Sequence, residues 1–431
     1  MGYFGFGKCD ITPEVGCYLY GYVDDLVSEG VHDNLSVNAF YFRNENQSAL
    51  MISAEVCSIN TVFSEKMRSE ISEKTGVPYE NIMIHGIHNH TGPNTDGNTG
   101  WGALDMPYCE NILLPSAIRA AEAAVSSAVP ALAGVGMGES LVGVNRREQD
   151  INNNIIFGQC EWGSMDKRMA VLSFRNAEDN SLIANLIFYT CHGTTAGLCK
   201  KISRDWAGGM IDTLEAHTNA PTAFFCGAEG DVGPRLSNGQ TVGTIRDTEI
   251  MGETAGKDAV RIFDSIVSYS PLTFSVTSGV LKLPLKNRIS KEDAASLLER
   301  FRNNTINLEG QKKDYAVRVL KSYEDGYQDK EFLSVPQTAI SIGSFIFAAF
   351  PYELFSDIAL RINKAKKGFE VFSLSNTNGS AGYFPCHSEI SKGGYEIDMF
   401  LTHNIQPYCD NADFSLIKET LRNLEAFKCI E

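Results

Sequence analysis

The sequence predicts a mixed α/β protein, with a large mixed β-sheet core flanked by helices and its chemistry at the C-terminal ends of strands. Three observations predict it. Short apolar runs of strand length, such as 49–57, 184–191 and 222–226, recur between segments of helical spacing. Their alternation is too irregular for a barrel or a simple doubly wound sheet. No internal repeat, low-complexity tract or Pro/Ser-rich linker divides the 431 residues, so one domain is expected over 1–431, with a helical excursion at about 287–330.

Taken in order, Cys9-Asp10-Ile11-Thr12-Pro13 reads as a strand end and turn, and 39–42 and 49–57 as strands. Residues 61–75 read as a helix, with Phe63, Met67 and Ile71 four apart. A strand at 81–85 follows. Residues 94–107 form a Gly/Asn-rich loop around Trp101, suited as a surface loop or as a seat for a polar ligand. The Ala-rich stretch 108–128 is helical, and 184–191 and 222–226 are strands. Residues 290–325 read as two charged helices, the first opened by Ser290 with Asp293 in capping-box spacing. The segment 340–350 alternates and turns helical from Glu353. A strand at 371–374 and a closing amphipathic helix over 414–428 complete the chain.

A net charge of −16, from 37 basic and 53 acidic side chains, argues against nucleic acid or an anionic membrane as partner. No apolar stretch approaches the ~18–20 residues of a membrane span, and the N-terminus has no signal-peptide pattern. Phe6 stands where a myristoylation motif needs Ser or Thr. The eleven cysteines are scattered, odd in number and free of Cys-x-x-Cys, as expected of reduced thiols in a cytoplasmic protein. A small-molecule substrate and no stable membrane association are the corresponding expectations.

Three of eight histidines fall in Ile84-His85-Gly86-Ile87-His88-Asn89-His90, directly after an apolar run. In extended backbone His88 and His90 project from the same side, as a divalent-ion site requires. The alternative is a turn that is merely rich in histidine. His192 ends the 184–191 run and opens a small-residue turn, placed either to reach a site or to pack as a satisfied core histidine. Glu353 sits where a strand is expected to become a helix; it suits a metal ligand or a favourable charge at a helix N-terminus.

Together these segments resemble the neutral/alkaline ceramidase family of zinc amidases. The resemblance rests on Cys9-Asp10-Ile11-Thr12-Pro13 with Gly16 and Tyr20-Gly21-Tyr22, on His88-Asn89-His90-Thr91-Gly92-Pro93, and on Val144-Asn145-Arg146-Arg147. It continues through His192-Gly193-Thr194, Ile202-Ser203-Arg204-Asp205, the block from Ala223 to Pro234, and the paired Ala381-Gly382-Tyr383 and Gly394-Tyr395-Glu396. It implies one zinc per chain held by His88, His192, Glu353 and Tyr383, with His90, Arg146 and Tyr395 around the scissile group. Zinc-activated water would attack the amide, His90 would shuttle a proton to the leaving amine, and Arg146 and Tyr395 would donate to the developing oxyanion. Asp205 and Asp231 are candidates for orienting a ligand imidazole, or simple turn residues. His85 is expected to pack within its strand.

The sequence departs from the family in two respects. Gly233 stands where the family's Gly-Asp-Val-Ser-Pro block has serine, which favours direct attack by water and weakens the case for ceramide. The second is an expectation: with its last helix at 414–428, the chain is expected to lack the C-terminal β-sandwich domain that ceramidases carry. The expected function is therefore a zinc hydrolase cleaving an N-acyl bond of a small, polar, soluble substrate. The alternatives are N-acylsphingosine hydrolysis, ester or lactone hydrolysis at the same site, and a non-catalytic binding protein. Metallo-β-lactamases, amidohydrolase barrels and HNH nucleases are disfavoured, because Gly92 and Pro93 break the first pattern and the others need strict βα alternation or a basic ββα fold.

Overall fold

A computed structural model describes residues 2–428. Its main sheet has nine strands, in the order Thr222–Cys226, Leu182–Tyr189, Arg168–Asn176, Val129–Glu139, Tyr3–Asp10, Ser36–Arg43, Ser48–Ala54, Ile82–Gly86, with Ser270–Pro271 paired to Val129–Glu139. The interior pairs are antiparallel. Both outermost pairs are parallel, and each is joined by a crossover through a helix, Thr61–Thr75 on one side and Trp206–Thr218 on the other.

These strands are apolar on both faces because both faces are covered. Phe4, Phe40, Phe42, Leu172, Phe174, Leu186 and Phe225 point inward, toward a second sheet of Phe274–Pro284, Phe332–Ile342, Phe345–Ala349 and Glu370–Leu374. Their neighbours in sequence point outward. Val37, Ile52 and Ile84 pack under Thr61–Thr75 and Leu114–Ser126. Val171, Ile187 and Phe224 pack under Trp206–Thr218 and Ile245–Asp264. Helices Ser356–Ala365, Tyr395–His403 and Ala412–Asn423 cover the far side of the second sheet. The result is a four-layer α/β/β/α arrangement.

The main sheet curls until its two edges meet. Ser53 Oγ donates to the Phe224 carbonyl at 2.6 Å, and the Cys226 N–H donates to His85 Nε2 at 2.9 Å. His85 Nδ1 lies 3.0 Å from both the Ser375 carbonyl and Thr377 Oγ1. Burial lowers the His85 pKa to about 3, so the ring is neutral and can accept at one nitrogen while donating at the other. His85 is thus a strand residue that joins both sheet edges to the second sheet.

The expected mixed α/β class holds, with the second sheet as an addition. The segment 340–350 is a hairpin that turns at Gly343 (φ +58°), and the following helix begins at Ser356, not at Glu353. Residues 108–128 divide into Met106–Tyr108, a wide turn over Cys109–Leu113, and Leu114–Ser126. The 287–330 excursion contains Lys291–Arg300, whose Ser290 cap accepts from the Asp293 N–H at 3.0 Å, and Asn307–Glu324. No helix among the described residues is long and apolar enough to cross a membrane.

Glu55, fully buried just past Ser48–Ala54, accepts from the Ser36 N–H (2.5 Å) and hydroxyl (2.9 Å). Burial pushes its pKa from 4.5 up to about 7, against the pull of Arg204. Between those values the folded chain binds this proton more tightly than the unfolded chain. The group's contribution is therefore present at low pH and lost as pH rises through about 7. Unfolding free energy measured from pH 4.5 to 7.5 should fall less steeply in Glu55→Gln than in the wild type, the difference being on the order of 3 kcal/mol. Parallel curves would contradict this assignment.

Candidate metal centre

The loop after Ile82–Gly86 carries His88 with φ +68°, so His88 and His90 do not share one extended strand. Their rings meet nonetheless, with the two Nε2 atoms 3.2 Å apart. A left-handed conformation is costly for a residue with a Cβ and persists where its surroundings over-determine it. Here the second histidine loop does so. The Gly193 N–H donates to the His88 carbonyl at 3.1 Å, and the His90 N–H donates to the Gly193 carbonyl at 3.0 Å. Sheet closure thereby joins the end of one edge pair, at His88, to the end of the other, at His192.

Glu353 and Tyr383 enter from elsewhere, as partners in the short parallel pair of Glu353–Leu354 with Tyr383–Phe384. Glu353 Oε2 lies 3.4 Å from His88 Nε2 and 3.2 Å from His192 Nε2. An ion with tetrahedral ligands at about 2.0–2.1 Å needs donor atoms about 3.3–3.4 Å apart. Glu353 Oε2 and His192 Nε2 are both buried and have no properly directed hydrogen bond. His192 Nδ1 donates to the carbonyls of Glu229 (2.8 Å) and Val232 (3.1 Å), which leaves the Nε2 lone pair toward the centre. Burial, then Arg146 and His88, lower the His192 pKa to about 3 and keep the ring neutral, as metal ligation requires. The donor set fits a zinc ion.

Tyr383 is buried, and its hydroxyl accepts from Arg146 Nη2 at 3.0 Å. Burial, then Glu353, raise this phenol well above its ordinary pKa against the pull of Arg146; a nearby dication acts in the opposite sense. Arg146 is held in turn by Glu396, which accepts from its Nε at 3.0 Å and from Arg147 Nη1 at 2.6 Å. Tyr395 opens the helix Tyr395–His403, and its ring contacts Tyr383, Phe157 and Trp101. His90 Nδ1 donates to the Gly21 carbonyl at 3.1 Å. Gly21 has φ +120°, and a Cβ there would come within 2.2 Å of that same nitrogen, so glycine is required for the ring to stand where it does.

Several residues at the centre carry no signal in the sequence. Glu229 and Asn376 stand behind the histidines, Glu396 behind Arg146, and Cys57 Sγ lies 3.5 Å from His88 Nδ1. Conversely, Asp205 and Asp231 do not touch an imidazole. Asp205 accepts from the N–H groups of Thr195, Ala196 and Trp206 as a loop and helix cap. Asp231 accepts from the Ser356 N–H and Asn145 Nδ2, tying the segment after Glu353 to the strand that carries Arg146.

The loop at 94–107 is not a surface loop. Asn94, Thr95, Asp96 and Trp101 are buried, and Asp96 Oδ2 alone accepts from Tyr20, Ser58, Asn98 and Ser380. Its polar groups are used internally, and Trp101 and Asn98 face the site. The cavity over the centre has a volume of about 30 Å³, with His88, His90, Glu353, Tyr383, Tyr395 and Trp101 in its wall.

Residues 3–250, more than half of the chain, match the sequence profile of the neutral/alkaline non-lysosomal ceramidase N-terminal region. The chain belongs to this family. Its fold is similar to that of neutral ceramidase from Pseudomonas aeruginosa, with a TM-score of 0.74 and 18% identity over 98% of this chain and 73% of that one. It is also similar to a ceramidase complexed with C2, with a TM-score of 0.73 and 18% identity over 100% and 76% of the two chains. No curated protein matches the chain. Family membership makes the chain a relative of metal-dependent amide hydrolases.

Gly233 lies in the strand Val232–Pro234, opposite Val144. A Cβ there would stand 2.6 Å from Thr241 Cβ and 2.9 Å from Thr241 Cγ2. The glycine is thus packed against its neighbour, and a serine cannot be restored without displacing Thr241. Gly233→Ser should lower unfolding free energy by about 1–3 kcal/mol, and adding Thr241→Gly, which removes the Cβ as well as the Cγ2, should recover part of it. An unchanged melting temperature in the single variant would contradict this packing.

Proposed function

We propose that this protein is a zinc-dependent hydrolase that cleaves the amide bond of an N-acyl compound. The convergence of His88 Nε2, His192 Nε2 and Glu353 Oε2 carries the reading, with Tyr383 beside them as fourth ligand. When bound, zinc supplies polarisation of an acyl carbonyl and acidification of water.

The protein's own groups divide the remaining work. His90 donates at Nδ1 to Gly21, so its Nε2 is the atom free to take a proton and pass it to a leaving amine. Burial, then His88 and His192, hold its pKa well below the ordinary value, so it acts as a neutral base. Arg146 remains cationic between Tyr383 and Glu396; it fixes the phenol and supplies positive charge next to the site. Tyr395 is the hydroxyl donor on the cavity wall, placed to bond a developing oxyanion. Trp101 and Met399 line the same cavity beside it.

The narrow cavity, about 30 Å³, favours a small acyl group over a long one. Family membership supports a second reading, hydrolysis of N-acylsphingosine. A panel of N-acetyl and N-butyryl amines, short-chain ceramides, and matched esters separates these. Small N-acyl amines should be turned over fastest, whereas faster turnover of ceramides would establish the second reading in place of the first.

Purified protein should contain about one zinc per chain, and chelation should abolish hydrolysis, with zinc restoring it. The His88→Ala/His192→Ala double variant should hold less than a tenth of that metal while remaining folded. Undiminished zinc in the double variant would place the metal elsewhere.

A further inference from the structure

We propose that Glu229, together with Asn376, is the positioning pair for both ligand histidines. This rests on the metal reading above and extends it to residues that cannot touch the ion or the substrate. Glu229 is fully buried and follows the edge strand Thr222–Cys226 by three residues. Its main-chain carbonyl accepts from His192 Nδ1 at 2.8 Å. Its side-chain Oε1 accepts from Asn376 Nδ2 at 2.6 Å, and that nitrogen lies 3.0 Å from His88 Nδ1. One residue therefore contacts the rear edge of one imidazole directly and stands a single amide away from that of the other. An imidazole that ligates through Nε2 carries its proton on Nδ1, so with metal bound the Asn376 amide presents its oxygen to that proton, and Glu229, as the acid, donates to the same oxygen.

The main chain of Asn376 reinforces the arrangement. It adopts φ +46°, a conformation that asparagine tolerates better than most residues. From there its carbonyl accepts from the Gly86 N–H at 3.1 Å, two residues before His88. Its own N–H donates to the Tyr352 carbonyl at 3.2 Å, one residue before Glu353. Asn376 is thus bonded to the segments leading into two proposed ligands, while its side chain joins a third element to the His88 ring. With Asn376 and Cys57 Sγ filling the Nδ1 edge of His88, Nε2 is the edge left facing Glu353.

A carboxylate buried for packing alone is poorly used, because burial of a charge without partners costs several kcal/mol. A pair that fixes ligand direction has a use for it: partners behind ligand histidines are worth about 10–100-fold in metal affinity. Asn376→Ala should therefore weaken zinc binding, measured by competition with a chromogenic chelator, by about 10–100-fold. Glu229→Gln, which keeps the size of the side chain and its carbonyl to His192, should weaken it less. In both variants the visible absorption of the cobalt(II)-substituted protein should change in position or intensity. Exchanging acid and amide in Glu229→Gln/Asn376→Asp should regain much of the affinity lost in Asn376→Ala.

The melting temperature of the metal-free variants separates positioning from folding. Weakened metal binding with metal-free melting within a few degrees of wild type supports the proposal. Zinc affinity within twofold of wild type and an unchanged cobalt spectrum in both single variants would overturn it. So would losses that track metal-free destabilisation and that the exchange variant does not rescue. A wild-type protein that binds no zinc would instead overturn the metal reading and this inference with it.

Discussion

The contact on which the centre depends is the closure of the main sheet at His85. An open nine-stranded sheet would leave Ile82–Gly86 and Thr222–Cys226 at opposite margins, with His88 and His192 far apart. The bond from the Cys226 N–H to His85 Nε2 brings those margins together, and the Ser53 hydroxyl bond to Phe224 repeats the contact one strand inward. The imidazole suits this place because it accepts at one nitrogen and donates at the other, so a buried edge N–H and a buried carbonyl are both satisfied. An apolar residue would leave the Cys226 N–H without this partner, at about 1–3 kcal/mol, while the Ser375 carbonyl would keep only its bond from the Thr377 hydroxyl at 2.8 Å.

Closure also explains why so much charge is buried around the site. Three fully or almost fully buried glutamates, Glu55, Glu229 and Glu396, lie within or beside the same junction, together with Arg146 and Arg147. Glu396 bridges both arginines and Glu389 takes a further contact with Arg147, so the two guanidiniums are fixed in place before any ligand arrives. Asp96 does the same with neutral donors from four chain segments. Three groups at the centre are held from behind: His90 by the Gly21 carbonyl, His192 by those of Glu229 and Val232, and Tyr383 by Arg146.

Much of this was legible in the sequence wherever the signal is local. The runs at 49–57 and 222–226 are apolar on both faces, and the helix at 61–75 shows its spacing plainly. The strand Val129–Glu139 has no comparable signal, because three glycines and a proline interrupt its apolar pattern. Gly134 and Gly136 are there because the chain from Ile262 to Tyr269 packs directly on them. Glu353 has the local look of a helix start, since nothing nearby in sequence reveals a two-residue strand whose partner is Tyr383. The loop around Trp101 looked hydrophilic, but its polar groups bond to one another and to Tyr20 and Ser380. Glu229 and Asn376 are 147 positions apart, and a pairing of that kind becomes visible only after closure.

The same separations set the order in which the centre can form. The His88 and His192 loops are bonded to each other and can meet once the strands up to Thr222–Cys226 have been made. Glu353, Asn376 and Tyr383 come from chain synthesised much later and must dock onto an already curled sheet. Contacts this distant are slow to form, and a chain growing from its N-terminus presents a two-histidine half-site before the carboxylate and phenol exist. In biosynthetic terms the complete set of proposed metal donors is a late event, and its assembly reports that both sheets have come together.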